Sequence, residues 1–300
     1  MHNPSYQLAH GANLELSAKA FGRQTGQSPL VAIQGGGKGC LLRVEGPLAS
    51  VSIALRGRVQ LGTGTEAPIQ AGELRVSDTE PRLQLVGRGN ALWLTLIGTP
   101  AAWRRQYARS MGGHLAPEPL LLPAVHEAER TLRRQAIRVA RARDEDIRSV
   151  ALDALVEGVL ALQRGFEPAI ARCPGRTYAQ RRQVFVRLQR VRNYLSANCH
   201  LDVDNDALAR MANYSPWHFI RAFRAAYGET PHAYLVRQRL EHARRLLHAS
   251  PLAVAEIALA SGFENRCAFS RLFRQHFGTT AGAMRRAGKL APQVAATALP

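Results

Sequence analysis

Residues 208–235 read LARMANYSPWHFIRAFRAAYGETPHAYL, and residues 256–278 read EIALASGFENRCAFSRLFRQHFG. The two stretches share one pattern, whose members recur at an offset of 50 positions: Phe219 and Phe269, Arg221 and Arg271, Phe223 and Phe273, Arg224 and Arg274, Tyr227 and Phe277, Gly228 and Gly278, Thr230 and Thr280. Upstream, LARMANY and IALASGF match at an offset of 49, so one residue is inserted in the turn between the two helices of a unit. The repetition predicts one supersecondary unit that the chain contains twice.

Each copy predicts a short helix, a tight turn and a second helix. The turn carries Asn213 in the first copy and Gly262 in the second, and both residue types tolerate a positive φ. Residues typical of helix ends bound the second helix of each copy: Ser215-Pro216 and Gly228 in the first, Asn265 and Gly278 in the second. Two further pairs predict helix starts between the copies: Thr230-Pro231, opening a helix that runs to about His248, and Ser250-Pro251. The pattern is a duplicated helix-turn-helix.

With these two signatures the chain resembles the AraC/XylS family of transcriptional regulators, whose DNA-binding domain holds two helix-turn-helix units joined by a long helix. The resemblance covers about 183–287, and the first 170 residues follow only the family's usual plan, a β-rich sensor followed by helices. It implies an all-α DNA-binding domain, binding to promoter DNA, contact with RNA polymerase and a small-molecule effector. Ala281-Gly282 stands where the family usually has a proline, so we expect a weaker final helix.

The second helix of each copy carries the candidate DNA contacts on its outward face. At about 100° per residue, one side of each helix collects the predicted core: Phe219, Phe223, Ala226 and Tyr227 in the first, Phe269, Phe273, His276 and Phe277 in the second. The other faces and the helix starts supply the predicted contacts: Ser215, Trp217, His218, Arg221 and Arg224 in the first, Asn265, Arg266, Cys267, Ser270, Arg271 and Arg274 in the second. The sequence leaves open whether the arginines bind guanine edges or phosphates.

The charge of the chain favours a polyanionic partner. The 40 basic and 22 acidic residues give a formal net charge of +18. From residue 175 onwards there are 19 basic and 7 acidic residues, so the helix-turn-helix segment carries two-thirds of the excess. No apolar run approaches the roughly 20 residues that span a bilayer, so no membrane partner is expected. The four cysteines are scattered without a metal-ligand spacing, which favours the reducing cytoplasm.

The first hundred residues predict a small β-barrel of the cupin-like kind, because short apolar segments alternate with Gly and Pro. Residues 1–113 contain only His2 and His10, so no metal site and no cofactor are expected. The sequence shows no catalytic constellation, and an enzyme is not predicted. Two rival functions stay open. One is a regulator without a ligand, controlled by abundance or by a protein partner. The other is a DNA-repair alkyltransferase fused to this module, although four scattered cysteines do not provide the sites that it needs.

Helical patterns follow the β segment. Thr99-Pro100 predicts a helix start, and two more helices are predicted near 123–140 and 144–163. The apolar face of the last is wider than one packing partner needs, which predicts a homodimer through this helix. The sequence leaves open which of two stripes faces the second copy and which packs on the β domain: Leu152, Val156 and Val159, or Leu155 and Leu162. The sequence predicts a sensing and dimerisation domain at 1–164 and a linker at 165–182. A DNA-binding domain at 183–288 and a disordered tail at 289–300 follow.

Overall fold

The computed structural model of the chain describes residues 6–10, 14–17, 30–37, 39–62, 68–110 and 121–290. The chain forms two compact units, which divide between Asn193 and Tyr194. Sheet and helices make up the first unit, and the described part of the second is helical. The fold is of the α+β class, and the predicted order of a sheet-rich N-terminal region before a helix-turn-helix domain is confirmed.

Seven strands form one sheet in the described part of the first unit: β1 (Tyr6–His10), β2 (Leu14–Ser17), β3 (Val31–Gly36), β4 (Leu41–Leu61), β5 (Ile69–Gln70), β6 (Glu73–Gly98) and β7 (Ala124–Glu127). Hydrogen-bonded neighbours follow the order β1-β3-β6-β4-β2, with β5 beside β4 and β7 beside β6. The pairs β1–β3 and β2–β4 are parallel, and the others are antiparallel.

The short strands predicted from the sequence are joined into two long ones, β4 and β6. Gly57 has a φ of 71°, a conformation that lets β4 bend where another residue would be strained. Alternate residues of β4 enter different cores, since Val51 and Ile53 pack under the helices whereas Ala54 packs in the cluster around Trp93. The sheet is therefore buried on both faces along this stretch.

The sheet is not the closed barrel that the sequence predicted. Among the described strands, β1 and β2 lie at the two ends of the hydrogen-bonded path, and each pairs with one neighbour. The centre of the sheet consists of β4 and β6, which bend and form hydrogen bonds with each other over most of their length. Gly and Pro spacing predicts how often a strand bends, but not whether its outer edges meet.

Helices follow the sheet in the first unit: α1 (Pro100–Ser110), α2 (Arg130–Arg141), α3 (Glu145–Arg164), α4 (Glu167–Arg172) and α5 (Tyr178–Ala197), which runs on into the second unit. The helix predicted near 123–140 begins only at Arg130. The residues before it form β7, because they pair with Glu73–Val76 of β6. Asp144 caps α3 by accepting hydrogen bonds from two backbone N–H groups of its first turn.

The five residues predicted for the dimer interface lie in the core of a single chain. Leu155, Val156 and Val159 are fully buried, and Leu152 and Leu162 are half-buried against the same cluster. The sheet and α2 together cover the wide apolar face of α3, so the face does not by itself require a partner. Dimerisation stays a prediction, and a second copy would meet other side chains of this helix.

The segment predicted as a linker, 165–182, contains helix α4 and the first turn of α5. The two compact units divide further along the chain, inside α5. The functional bounds 1–164 and 183–288 stay a proposal. Of the predicted tail 289–300, helix α11 includes the first two residues, and the rest lies outside the described residues.

The second unit contains the predicted helices: α6 (Asn205–Met211), α7 (Pro216–Tyr227), α8 (Pro231–Ala249), α9 (Val254–Ala260), α10 (Arg266–Phe277) and α11 (Ala281–Leu290). The helix pairs α6–α7 and α9–α10 are the two helix-turn-helix units, and α8 joins them. Helix α9 begins later than predicted, because Ser250 ends α8 and the Glu256 carboxylate accepts a hydrogen bond from Ala253 N at 2.6 Å.

The turns have the backbone geometry that the sequence predicted. Asn213 has a φ of 55° and Gly262 a φ of 83°, and the helices after them end at glycines with positive φ. A Cβ at Gly262 would also lie 2.8 Å from Arg239 Nε, so glycine is required there twice over. No helix among the described residues is both long and apolar enough to cross a membrane.

Candidate nucleic-acid interface

Helix α7 has one buried face and one exposed face. Phe219 and Phe223 are fully buried, with ring centroids 5.8 Å apart, and hold the helix against its own unit. On the opposite face Arg221 and Arg224 are exposed, and Trp217 exposes 60% of its surface. A tryptophan so exposed does not contribute to the core, and a surface position beside two arginines is suited to a polyanion.

The exposed side chains at the start of α7 contact one another. The Arg221 guanidinium carbon lies 4.4 Å from the centroid of the Trp217 ring, a cation–π contact. The Trp217 ring meets His218 edge-on at 5.0 Å, and Ser215 Oγ shares a hydrogen bond of 2.7 Å with His218 Nδ1. Four of the five predicted contacts in this helix therefore form one connected cluster, which restricts the rotamers of Arg221.

Helix α10 repeats the core of α7 beneath a different exposed face. Phe269 and Phe273 are fully buried, with ring centroids 5.4 Å apart. The Asn265 Oδ1 atom caps the helix by accepting hydrogen bonds from Cys267 N at 2.9 Å and Ala268 N at 3.0 Å. All six predicted contacts of this helix are exposed: Asn265, Arg266, Cys267, Ser270, Arg271 and Arg274. Cys267, a free thiol, occupies the place that Trp217 has in α7.

One residue predicted for the core of α10 lies outside it. His276 is exposed, packs edge-on against Phe277 with ring centroids 4.6 Å apart, and lies 3.7 Å from a carboxylate oxygen of Glu241 in α8. A 100° rotation per residue puts His276 beside Phe273, but its ring lies at the surface between Phe277 and Glu241. In α7, Ala222 is buried as well, although the sequence did not single it out.

The arginines of α8 form bonds within their own unit. Arg237 donates to Glu229 at 2.7 Å, and Arg244 lies 2.8 Å from Glu241. Arg239 donates to the backbone oxygens of Cys199 and Leu201, at 2.7 and 2.9 Å, and so ties α8 to the segment before α6. Part of the arginine-bearing surface of α8 is thus a structural network, and phosphate contact by these arginines competes with existing bonds.

A family profile described as a helix-turn-helix domain matches residues 208–287. HTH-type transcriptional regulator GlxA of Rhizobium meliloti (strain 1021) is 46% identical over 85 residues, which is 28% of this chain and 26% of that protein. Probable transcription factor PqrA of Proteus vulgaris is 34% identical over 85 residues, 28% of this chain and 70% of that protein. The chain belongs to the AraC/XylS family of transcriptional regulators. Its match thus spans about a quarter of GlxA but more than two-thirds of PqrA.

A solved structure, the DNA-binding domain of AdpA in complex with a target DNA, is 32% identical, covering 35% of this chain and 95% of that chain with a TM-score of 0.34. The AraC/XylS module of this chain, with its two exposed arginine-bearing helices, is a DNA-binding domain. Among the described residues, no three His, Cys, Asp or Glu side chains cluster as a metal site.

Asn265 is the N-cap of α10 as well as a predicted DNA contact, and its capping role can be tested by substitution. We expect Asn265→Ala to destabilise the second unit by about 1 kcal/mol, because the N–H groups of Cys267 and Ala268 lose their acceptor. Asn265→Ser keeps a capping oxygen and should retain most of the stability. Hydrogen exchange of the amides of α9 and α10 in the full-length variants reports on this unit alone and measures the difference. An alanine variant as stable as the serine variant would show that the cap contributes nothing.

Proposed function

We propose that the chain is a cytoplasmic, sequence-specific transcription activator whose second unit reads DNA through α7 and α10. The observation that carries the proposal is the repeated geometry of these helices, in which equivalent arginines, Arg221 and Arg271, project from faces opposite to two equivalent phenylalanine pairs. Two helices held in this way are suited to two successive major grooves. Helix α8, with 19 residues, is about 28 Å long and would act as a rigid spacer on the scale of one DNA turn.

The proposed contacts divide into base and phosphate contacts. Arg221 and Arg271 are the candidates for guanine edges, since a guanidinium pairs with O6 and N7 in a bidentate way. Trp217 is suited to a sugar or a thymine methyl group, and Asn265 and Cys267 lie at the helix start, where this motif approaches base edges. Arg224 and Arg274 lie about one helical turn after Arg221 and Arg271. They are candidates for phosphate contacts, which position a protein on the duplex without reading its sequence.

The first unit supplies the proposed regulation. By its place before the DNA-binding domain it would bind a small-molecule effector and dimerise, and an activator would then contact RNA polymerase from the bound promoter. Dimerisation doubles the number of groove contacts, so paired sites bind more tightly than either site alone. The family profile and the GlxA match reach only the helix-turn-helix part of the chain, so this regulation is argued from domain order.

A regulator without a small-molecule ligand is the second candidate, and the inside of the sheet favours it. The cluster around Trp93 consists of buried apolar residues. The Trp93 ring fills the space beside Gly35 and Gly87, where an added Cβ would lie 2.1 and 2.7 Å from ring atoms. A site this well packed leaves little room for a polar effector. A partner protein, or the abundance of the regulator, would then control transcription.

Selection of duplexes from a random-sequence pool by the full chain tests the DNA-binding proposal. We expect an enriched sequence that binds at least 10³-fold more tightly than a scrambled duplex. The logarithm of the affinity should fall linearly with that of the salt concentration, with a slope of about −0.9 per phosphate contacted. A scrambled duplex of the same composition is the control. Equal affinity for both duplexes, or a flat salt dependence, would contradict the proposal.

A further inference from the structure

Two arginines face each other across neighbouring strands of the sheet in the first unit. Arg58 of β4 is the direct partner of Arg88 of β6 in these antiparallel strands, and Gln70 of β5 is its partner on the other side. Opposite residues of an antiparallel pair project from the same face of a sheet, about 5 Å apart. The three side chains are all exposed, and we call them the arginine row.

Two other arginines of the same sheet have a carboxylate as their cross-strand partner. Arg43 of β4 lies opposite Glu15 of β2, with 2.7 Å between Nη1 and Oε1. Arg82 of β6 lies opposite Glu45 of β4, with 2.9 Å between Nη2 and Oε1. Opposite charges stabilise a pair of strands, whereas like charges directly opposite each other destabilise it. The arginine row therefore has the arrangement that costs the sheet stability.

No carboxylate among the described residues balances the charge of the row. Within the described ranges, neither Arg58 nor Arg88 forms a hydrogen bond or an ion pair. The carboxylate of Glu73, close to β5 in the chain, accepts a hydrogen bond from Gln70 N at 2.8 Å and is thus engaged by the backbone. Two positive charges remain side by side without a counter-charge.

The strands around the row are bent and held together. Gly57 and Gly89 have φ values of 71° and 63°, in the left-handed region that favours glycine. A Cβ at Gly57 would lie 3.0 Å from Ala91 Cα, so the backbones of β4 and β6 are in close contact there. Arg56 of β4 ties the bend of β6 by donating to Asn90 O at 3.0 Å and to Asn90 Oδ1 at 2.6 Å. The backbones that carry the two like charges therefore stay one strand spacing apart.

We infer that the arginine row binds the phosphate group of a small phosphomonoester. Such a group carries a charge of about −1.5 to −2 at pH 7 and three acceptor oxygens, which match two guanidinium charges and three side-chain donors. Each guanidinium can pair with phosphate through two parallel N–H···O bonds. One anion between the arginines replaces their repulsion by two attractions. The regulatory part of this inference rests on the proposed function, since it gives a chemical class to its effector.

A phosphomonoester fits the row better than a carboxylate or the DNA backbone does. A carboxylate has one charge and two oxygens, which a single guanidinium fork already satisfies. A backbone phosphate of DNA is a diester with one charge, so it balances only half of the charge of the pair. The row is also accessible, because the neighbouring residues Val59 and Ile69 belong to the packed cluster around Trp93 on the opposite face of the sheet.

Hydrogen exchange of the full-length chain without DNA tests the inference, because it reports on β4, β5 and β6 separately from the arginines of the second unit. Inorganic phosphate is compared with sodium chloride of equal ionic strength. We expect phosphate to slow the exchange of amides beside the row, since a ligand that binds only the folded state stabilises it. Dimethyl phosphate, a diester with one charge, and acetate should have a much smaller effect.

Arg88→Gln keeps a hydrogen-bonding side chain but removes one charge of the row. We expect the phosphate concentration for half of the effect to rise roughly tenfold or more, because a charged hydrogen-bond donor is lost. Arg58→Gln should behave in the same way, so the result does not depend on one variant. Arg82→Gln is the matched control, since it removes an arginine of the same strand whose charge Glu45 already balances. Its response to phosphate should stay within about twofold of the unmodified chain.

Without phosphate and at low ionic strength, the two kinds of substitution should act in opposite directions. Arg88→Gln relieves the repulsion and should slow the local exchange by up to about fivefold. Arg82→Gln leaves Glu45 without its partner and should speed the exchange. A role of Arg88 in packing alone would give faster exchange in Arg88→Gln and no link to phosphate.

Three results would overturn the inference: no protection by phosphate, equal protection by dimethyl phosphate, or equal loss of the response in Arg88→Gln and Arg82→Gln. The second result would point to the DNA backbone as the ligand of the row. Far-UV circular dichroism establishes that the variants are folded. The phosphate response is measured without DNA, so it is independent of the duplex selection. If that selection enriches no sequence, the proposed function fails while the phosphate site is retained.

Discussion

The second helix-turn-helix unit is expected to lose about 3–5 kcal/mol of its unfolding free energy when Phe273 is replaced by alanine. The ring is fully buried between Phe269 and Phe277, at centroid distances of 5.4 and 4.6 Å. It also belongs to the cluster that joins α10 to α8. Removing it leaves a cavity inside this cluster, so the loss of packing adds to the loss of apolar burial.

Phe277→Ala is the matched control, because this ring is only half-buried at the end of the same helix. The smaller loss of burial should cost distinctly less. Since the chain has two units, a single unfolding midpoint does not report on one of them. Hydrogen exchange of the amides of α9 and α10 is the suitable measurement. Equal loss of protection in both alanine variants would contradict the assignment of Phe273 to the centre of this core.

Arg221→Ala and Arg271→Ala are each expected to weaken operator binding by about 1–3 kcal/mol, and each in a different half of the site. The two arginines occupy equivalent places on separate helices, and a guanine-binding arginine specifies only the base pairs that it touches. Footprinting of the selected duplex with each variant should show protection lost at separate positions. Loss of the same contacts in both variants would contradict a two-groove arrangement.

The coupling between Trp217 and Arg221 gives this prediction a second readout. Because the guanidinium packs on the indole ring in α7, a double-mutant cycle of Trp217→Ala and Arg221→Ala should be non-additive in DNA affinity. The equivalent cycle in α10, with Cys267→Ala and Arg271→Ala, is the control and should be closer to additive, since no ring lies at position 267. Additivity in the α7 cycle would mean that Trp217 does not position Arg221.

Much of the DNA-binding unit could be predicted from the sequence, because its determinants are local. These determinants are the turn residues with positive φ, the helix caps and the spacing of the buried phenylalanines. They lie within a few residues of one another, and each occurs in both copies of the repeat. The exposure of Trp217 followed from helical periodicity alone. What periodicity does not contain is the contact of Arg221 with the indole ring, which depends on rotamers.

The errors have a common physical cause, namely contacts between residues distant in sequence. The sequence predicts helix where β7 forms, because the strand that pairs with it, Glu73–Val76, lies some fifty residues earlier. The ties of Arg239 to the backbone of Cys199 and Leu201 cross a similar distance. The wide apolar face of α3 was measured correctly, but periodicity gives the width of a face and not what covers it. A sheet and a second helix of the same chain cover it.

The equivalent phenylalanine pairs and the unlike exposed N-terminal turns of α7 and α10 have a consequence for how such a regulator can diverge. The phenylalanine pairs that fold each unit are separate from the positions that would touch bases, where tryptophan in one helix corresponds to cysteine in the other. A mutation in one half of a DNA site can therefore be compensated by a substitution in one helix, while the other helix still binds its own half of the site. The two halves of a target site would then change separately during evolution, and a regulator whose site has changed in one half only would still bind it.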